Sequence, residues 1–146
     1  MKIREINKSD IEELLTVRTS TIENHFSLND LADIGITKQS VSGWLDDSIK
    51  GWVCEISGQI VGFTMGDSKT AEILVISIYP EYEKLGIGKK LMTKAQNWLW
   101  SFGHNSLWLW SNPDTSVRTY GFYRKLGWEP TGETEGNNEK LILKES

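Results

Sequence analysis

Tyr82-Glu83-Lys84-Leu85-Gly86-Ile87-Gly88-Lys89-Lys90-Leu91-Met92 is the stretch on which the reading of this chain turns. It follows an apolar run, Ile73-Leu74-Val75-Ile76-Ser77-Ile78, closed by Tyr79-Pro80. It leads into a segment where Ile87, Leu91, Ala95, Trp98 and Phe102 recur at helical spacing. A buried strand, a glycine turn and a helix in that order present the first backbone N–H groups of the helix outward. The helix dipole adds partial positive charge there, so the segment reads as a site for a phosphorylated ligand.

Two phosphate motifs fail on these residues. A Walker A loop requires Gly where Glu83 stands and Ser or Thr where Lys90 stands. The dinucleotide fingerprint requires a third Gly at the position of Leu91. A loop of the form x-x-x-Gly-x-Gly after a strand remains. Further on, Leu107-Trp108-Leu109-Trp110 reads as a strand, Asn112-Pro113-Asp114 as a turn, and Val117 to Leu126 as a helix ended by Gly127.

The loop and the run Arg118-Thr119-Tyr120-Gly121-Phe122-Tyr123-Arg124-Lys125-Leu126-Gly127-Trp128 together resemble the GNAT family of N-acetyltransferases. The loop is similar to the family's acetyl-CoA loop, Gln/Arg-x-x-Gly-x-Gly/Ala, with Glu83 in the Gln/Arg place. The run is similar to Arg-Ala-x-x-Phe-Tyr-x-x-x-Gly-Phe/Trp, with Thr119 where Ala is usual and Ser116 where Asn is common. The resemblance covers about residues 71 to 130.

It implies an acetyl-CoA-dependent N-acetyltransferase of mixed α/β fold. The central sheet has six to seven mostly antiparallel strands with helices on both faces. Acetyl-CoA is then the co-substrate, with no metal. Its pyrophosphate is expected on the backbone amides of Lys84, Leu85, Gly86, Ile87, Gly88 and Lys89, beside Glu83. Ile76, Ser77 and Ile78 are expected along its pantetheine arm, between strands 72–78 and 106–111, with Ser116, Thr119 and Tyr123 completing the donor site. Tyr123 is the implied general acid for the leaving thiolate. Glu72, in Ala71-Glu72-Ile73, keeps the distance from the glycine loop at which one branch of the superfamily carries its catalytic Glu, and is the candidate base. Glu23, Asp46 and Glu55 are alternatives.

The acceptor is a primary amine of a small molecule or peptide, expected among residues 18–45 and the 134–139 turn. His25, Asn24, Glu23, Asp30 and Trp44 are candidates there. A non-catalytic acetyl-CoA-binding sensor or structural module is the alternative, as is catalysis with another acyl donor.

Bulk properties agree. The 146 residues suit one domain, 1–146, that buries roughly two thirds of its unfolded surface. No apolar run approaches the length of a membrane span, and the N-terminus, Met1-Lys2-Ile3-Arg4-Glu5-Ile6-Asn7, is no signal peptide. One cysteine, Cys54, excludes an internal disulfide and fits a cytoplasmic protein with a buried spectator thiol. With only His25 and His104 besides, a Cys/His zinc site is not expected. The net charge of −4 argues against nucleic acid and suits a cationic amine. Of the seven tryptophans, Trp98, Trp108 and Trp128 fall in packed elements, whereas Trp44 and Trp52 are candidates for a substrate pocket.

No repeat or linker interrupts the chain. An opening strand at about 2–6 precedes a capping box, Ser9 with Glu12, and a helix carrying Ile11, Leu14, Leu15, Arg18 and Ile22. Residues 24–36 read as a loop or broken helix, and a second helix starting after Thr37 carries Val41, Trp44 and Leu45. Gly51 to Ile56 and Gln59 to Met65 read as strands joined at Ser57-Gly58. Strand 72–78, helix 86–101, strand 106–111, helix 115–126 and strands 128–134 and 139–143 follow. Edge strands allow a homodimer.

Overall fold

The computed structural model describes residues 1–19, 28–33, 35–111 and 118–145. In chain order these form β1 (Lys2–Glu5), a 3-10 turn (Lys8–Asp10), α1 (Ile11–Thr19), α2 (Leu28–Asp33), α3 (Lys38–Leu45), β2 (Ile49–Ile56), β3 (Gln59–Asp67) and β4 (Glu72–Ile78). A second 3-10 turn (Pro80–Tyr82) leads to α4 (Ile87–Trp100), β5 (Ser106–Ser111), α5 (Arg118–Lys125), β6 (Glu129–Glu135) and β7 (Asn138–Lys144). All seven strands lie in one sheet, ordered β1-β2-β3-β4-β5-β7-β6. Every pairing is antiparallel except β4 with β5. The implied mixed sheet, mostly antiparallel, is the one observed.

Local chemistry explains the junctions. Ser57 and Gly58 both have positive φ, 53° and 80°, so the β2–β3 turn matches the right-handed twist of its strands. Thr37 caps α3, its hydroxyl accepting from the Ser40 amide at 3.1 Å. The cap before α1 differs from the expected Ser9/Glu12 pair. Asn7 and Asp10 form it instead, the Asn7 amide donating to the Asp10 carboxylate at 2.9 Å. Asp10 is held there because Arg4 of β1 grips it with two hydrogen bonds, at 2.8 and 2.9 Å. Arg4 also donates to Glu55 of β2, tying the start of α1 to the sheet.

Two apolar cores sandwich the sheet, and strand alternation sorts side chains between them. Trp52, Cys54, Val61, Ile73 and Ile78 face the core that contains Ile87, Leu91, Met92, Ala95 and Leu99 of α4 with Tyr123 of α5. Val53, Phe63 and Met65 face Ile11, Leu14 and Val17 of α1 and Val41 of α3. Helices therefore cover both faces. Phe102, expected on the buried stripe of α4, is 55% exposed because the helix ends at Trp100 and Leu99 fills the inner position. Residues 28–33, within the expected loop or broken helix, are helical. Among the described residues no helix is long and apolar enough to cross a membrane.

Candidate active site

The glycine loop enters α4 through two left-handed residues, Lys84 at φ 68° and Gly86 at φ 80°. For Lys84 that conformation costs roughly 1–2 kcal/mol, and outliers of this kind cluster where backbone is held for a purpose. Gly86 is the N-cap of α4 and supplies no side-chain cap. The first-turn amides of a helix have no acceptor within it, so here they stand uncapped at the dipole's positive end. Between this loop and α5 lies a cleft of about 550 Å³ lined by Ile78, Tyr82, Glu83, Lys84, Gly86, Gly88, Lys89 and Phe122, among others. A Cβ added at Gly88 would lie 2.9 Å from the Phe122 ring, so the glycine lets α4 and α5 approach at the floor of the cleft.

The cleft continues into a gap in the sheet. β4 and β5 share a single register pair, Glu72 with Trp108, next to one hydrogen bond from the Trp108 amide to the Ala71 carbonyl at 3.1 Å. Beyond it the strands pair elsewhere, β4 with β3 and β5 with β7, so the edge of β4 through Ile76–Ile78 has no strand partner on its β5 side among the described residues. An irregularity assists the divergence. Val75 opposes Met65 and Ile73 opposes Gly66, leaving Leu74 as an extra residue in β4.

Glu72 sits where the two strands part. Burial, with the negative charges of Asp67 and Glu135, pushes its carboxyl up to about 7; Lys140 opposes the shift. The carboxyl makes no hydrogen bond or ion pair with any described residue, and a group of that pKa can take a proton near neutrality. Trp108 and Trp110 stand edge to face beside it, 6.0 Å apart, with the Lys140 ammonium over Trp108 at 4.7 Å.

Tyr123 is 7% exposed and packs edge to face against Phe122 and Trp128. On the opposite face, Arg18 of α1 lies within electrostatic reach of it; burial lowers the pKa of that guanidinium, and Tyr123 opposes the shift. Arg18 lines a second cavity, of about 280 Å³, enclosed by α1, α3 and β2–β4. Trp44 and the bulged Leu74 line it too.

The residues expected from sequence fall unevenly around this frame. Glu83, Lys84, Gly86, Ile87, Gly88 and Lys89 line the cleft, and Leu85 is 53% exposed on the same loop. Ile87 also buries its side chain in the α4 core. Ile78 lines the cleft, whereas Ser77 points to the α1/α3 face opposite Phe63, so only its backbone borders the gap. Thr119 lies in α5. Ser116 and the alternative base Glu23 lie outside the described residues, as do His25 and Asn24. Glu55 is engaged by Arg4, and Asp46 pairs with Lys8 at 2.6 Å. Trp44 lines the second cavity, while Trp52 is buried against α4.

Cys54 is fully buried and burial raises its thiol pKa, as suits a spectator. Among the described residues no group of three His, Cys, Asp or Glu side chains is arranged to hold a metal ion. The sequence attaches no individual role to Arg18, Phe122 or Trp110, although Arg18 opens the 18–45 acceptor stretch and Phe122 belongs to the Phe122-Tyr123 signature. For Arg18 a signal existed: a cation on the inward stripe of Ile11, Leu14 and Leu15.

Residues 10–128 match the model of the acetyltransferase (GNAT) family. An uncharacterized N-acetyltransferase of Archaeoglobus fulgidus is 31% identical over 137 residues, covering 84% of this chain and 89% of its own. Among solved structures, the PaiA N-acetyltransferase of Thermoplasma acidophilum, in complex with coenzyme A, superposes with a TM-score of 0.84. That match covers 99% of this chain and 100% of the other at 20% identity. The ribosomal-protein-S18-alanine N-acetyltransferase of Escherichia coli shares the fold at a TM-score of 0.72 and 15% identity, over 97% of this chain and 90% of its own.

Proposed function

The chain belongs to the acetyltransferase (GNAT) family and is an acetyl-CoA-dependent N-acetyltransferase; on that premise we propose that it acetylates a primary amine of a small molecule or peptide by direct attack. The observation that carries the reading of the site is the gap between β4 and β5, opening beside the uncapped N-terminus of α4.

The residues present fit acetyl-CoA. The amides of residues 84–89 suit a pyrophosphate, and Lys84, Lys89 and Lys125 bring positive charge to the same cleft. The unpartnered edge of β4 through Ile76–Ile78 offers backbone groups to the amides of a pantetheine arm and to the thioester carbonyl. The resemblance in sequence assigns Ser116 and Thr119 to the same donor. When bound, the donor supplies an acyl group already activated as a thioester, so no covalent enzyme intermediate is needed.

Glu72 takes the proton from the acceptor ammonium, directly or through water. At pH 7 an amine of pKa about 10.4 is neutral in roughly one molecule per 2,500, a handicap of about 4.6 kcal/mol. The neutral nitrogen then forms its bond to the acyl carbon, the carbon–sulfur bond breaks, and its electron pair leaves on sulfur. Tyr123 gives that sulfur a proton; the second proton, which the nitrogen sheds as it becomes an amide, restores the phenol, and the one held by Glu72 returns to solvent. A thiol of pKa about 8.5 is a fair leaving group, so this contribution is the smaller one.

Acetyl-CoA-dependent thiol release by the purified protein, screened over amines, amino acids, aminoglycosides and peptides, tests the reading. Turnover with an amine, yielding the N-acetyl product, is expected. Saturable acetyl-CoA binding with no turnover on any amine would overturn it in favour of a binding module.

A further inference from the structure

The second cavity has a composition that the acetyl-transfer chemistry does not require. Its lining of Ile11, Leu14, Val41, Phe63, Val75 and similar residues is apolar, with Arg18 as the one charged group among the described residues. It opens on the same face of β4 as Glu72, because Glu72 pairs with Asp67, and Asp67 shares its face of β3 with the cavity residue Met65. Arg18 in turn lies within electrostatic reach of Tyr123, although Tyr123 belongs to the opposite core. Asp67 and Glu135 lie within electrostatic reach of Glu72, and the apolar chamber that carries the Arg18 guanidinium reaches Leu74 and Val75 of the same strand.

Resting on the N-acetyltransferase reading, we propose that the acceptor is a free α-amino acid with an apolar side chain: its side chain fills the cavity between α1, α3 and the sheet, its carboxylate meets Arg18, and its ammonium faces Glu72. Each part answers to an observation. An apolar chamber of about 280 Å³ favours a branched aliphatic, thioether or aromatic group. A guanidinium has five N–H donors in a planar fork, so Arg18 can keep an existing partner and still bind a carboxylate. Arg18 lines the chamber together with Leu74 and Val75 of β4, the strand that begins at Glu72, so a carboxylate on Arg18 and an ammonium at Glu72 suit the two groups of one α-amino acid. A polyamine or aminoglycoside extending into the chamber would instead bring a second cation toward a guanidinium and apolar walls, away from the carboxylates of Asp67 and Glu135.

The test is kcat/KM of the full chain with acetyl-CoA for leucine, methionine and phenylalanine against alanine, leucinamide, a leucine-initiated tripeptide, spermidine and kanamycin. Each buried methylene is expected to raise kcat/KM about fourfold, so leucine should exceed alanine by at least about tenfold. Leucine should exceed leucinamide by at least about tenfold as well, since the amide lacks the carboxylate. Arg18→Gln should collapse the leucine-to-leucinamide ratio to about one, and Arg18→Lys should restore part of it; a ratio measured within one protein does not depend on how much of it folds. Leu74→Phe, which narrows the chamber, should shift preference from leucine toward alanine.

Spermidine, kanamycin or the tripeptide turning over with higher kcat/KM than leucine would overturn the acceptor assignment and leave acetyl transfer standing. Equal leucine and leucinamide rates would overturn the role of Arg18 and with it the free amino acid. Absence of thiol release with every amine would overturn both this inference and the functional reading beneath it.

Discussion

At the scale of single residues, Glu72 carries the sharpest consequences. Its carboxyl titrates near 7, so kcat/KM should rise with pH through about 7 as the carboxylate forms. Glu72→Gln should lower kcat by about 100-fold and abolish that acidic limb; a pH–rate profile in which the limb survives would remove Glu72 as the base. The same shift has a stability signature. A carboxyl whose folded pKa is raised lets the native state hold a proton that the unfolded chain loses, so stability falls as pH climbs from the ordinary Glu range through about 7. Glu72→Gln should therefore raise Tm above pH 7 and change it little near pH 5, which scanning calorimetry at two pH values checks. Tyr123→Phe should cost 10- to 100-fold in kcat, since a thiolate leaves tolerably without help. A kcat within twofold of the parent at every pH would mean that the buried ring serves packing alone, against Phe122 and Trp128.

Among elements, the junction of β4, the glycine loop and α4 carries the proposed donor site. Gly88→Ala would push a methyl group to 2.9 Å from Phe122 and 3.3 Å from Ile78. Overpacking of this kind costs about 1–3 kcal/mol, so a lower Tm and roughly tenfold weaker acetyl-CoA binding by calorimetric titration are expected. Unchanged binding would show that α5 can yield without disturbing the cleft. Glu83 lines the same cleft in the position where the family motif has Gln or Arg. Carboxylate and pyrophosphate repel by about 1 kcal/mol at 4 Å in water, so Glu83→Gln should tighten acetyl-CoA binding a few-fold. Weaker binding in that variant would give Glu83 a positive role, such as holding the loop.

For the whole molecule, one sheet shared by two cores makes the faces interdependent. β2 and β3 contribute side chains to both cores, so neither core can melt while the other keeps its strands. Thermal unfolding should be a single transition, with near-ultraviolet signals from Trp52 and Trp98 on one face and Trp44 on the other coinciding with loss of backbone signal. Two separated transitions would contradict the single domain proposed for residues 1–146. The gap in the sheet belongs to this scale too, because it exists only where β4 and β5 take different partners.

What could be read along the chain was whatever rests on local periodicity and turn chemistry. The apolar run before Gly86, the Ser57-Gly58 turn and the Phe122-Tyr123 signature each constrain only near neighbours, so the order of elements and the glycine loop were legible. Helix capping was less so: Asn7 and Asp10 displaced Ser9 and Glu12 because Arg4, brought in by β1, holds Asp10. Tertiary structure alone decided what depends on distant segments meeting. The titration of Glu72 near neutrality needs Asp67 and Glu135 beside a desolvated carboxyl, and Glu135 is brought there by the β6–β7 hairpin. The electrostatic reach of Arg18 to Tyr123 needs side chains from helices on opposite faces of the sheet to be brought toward one another. Charge, burial and cavity shape are properties of such meetings; periodicity, which records one chain's neighbours along itself, carries no record of them.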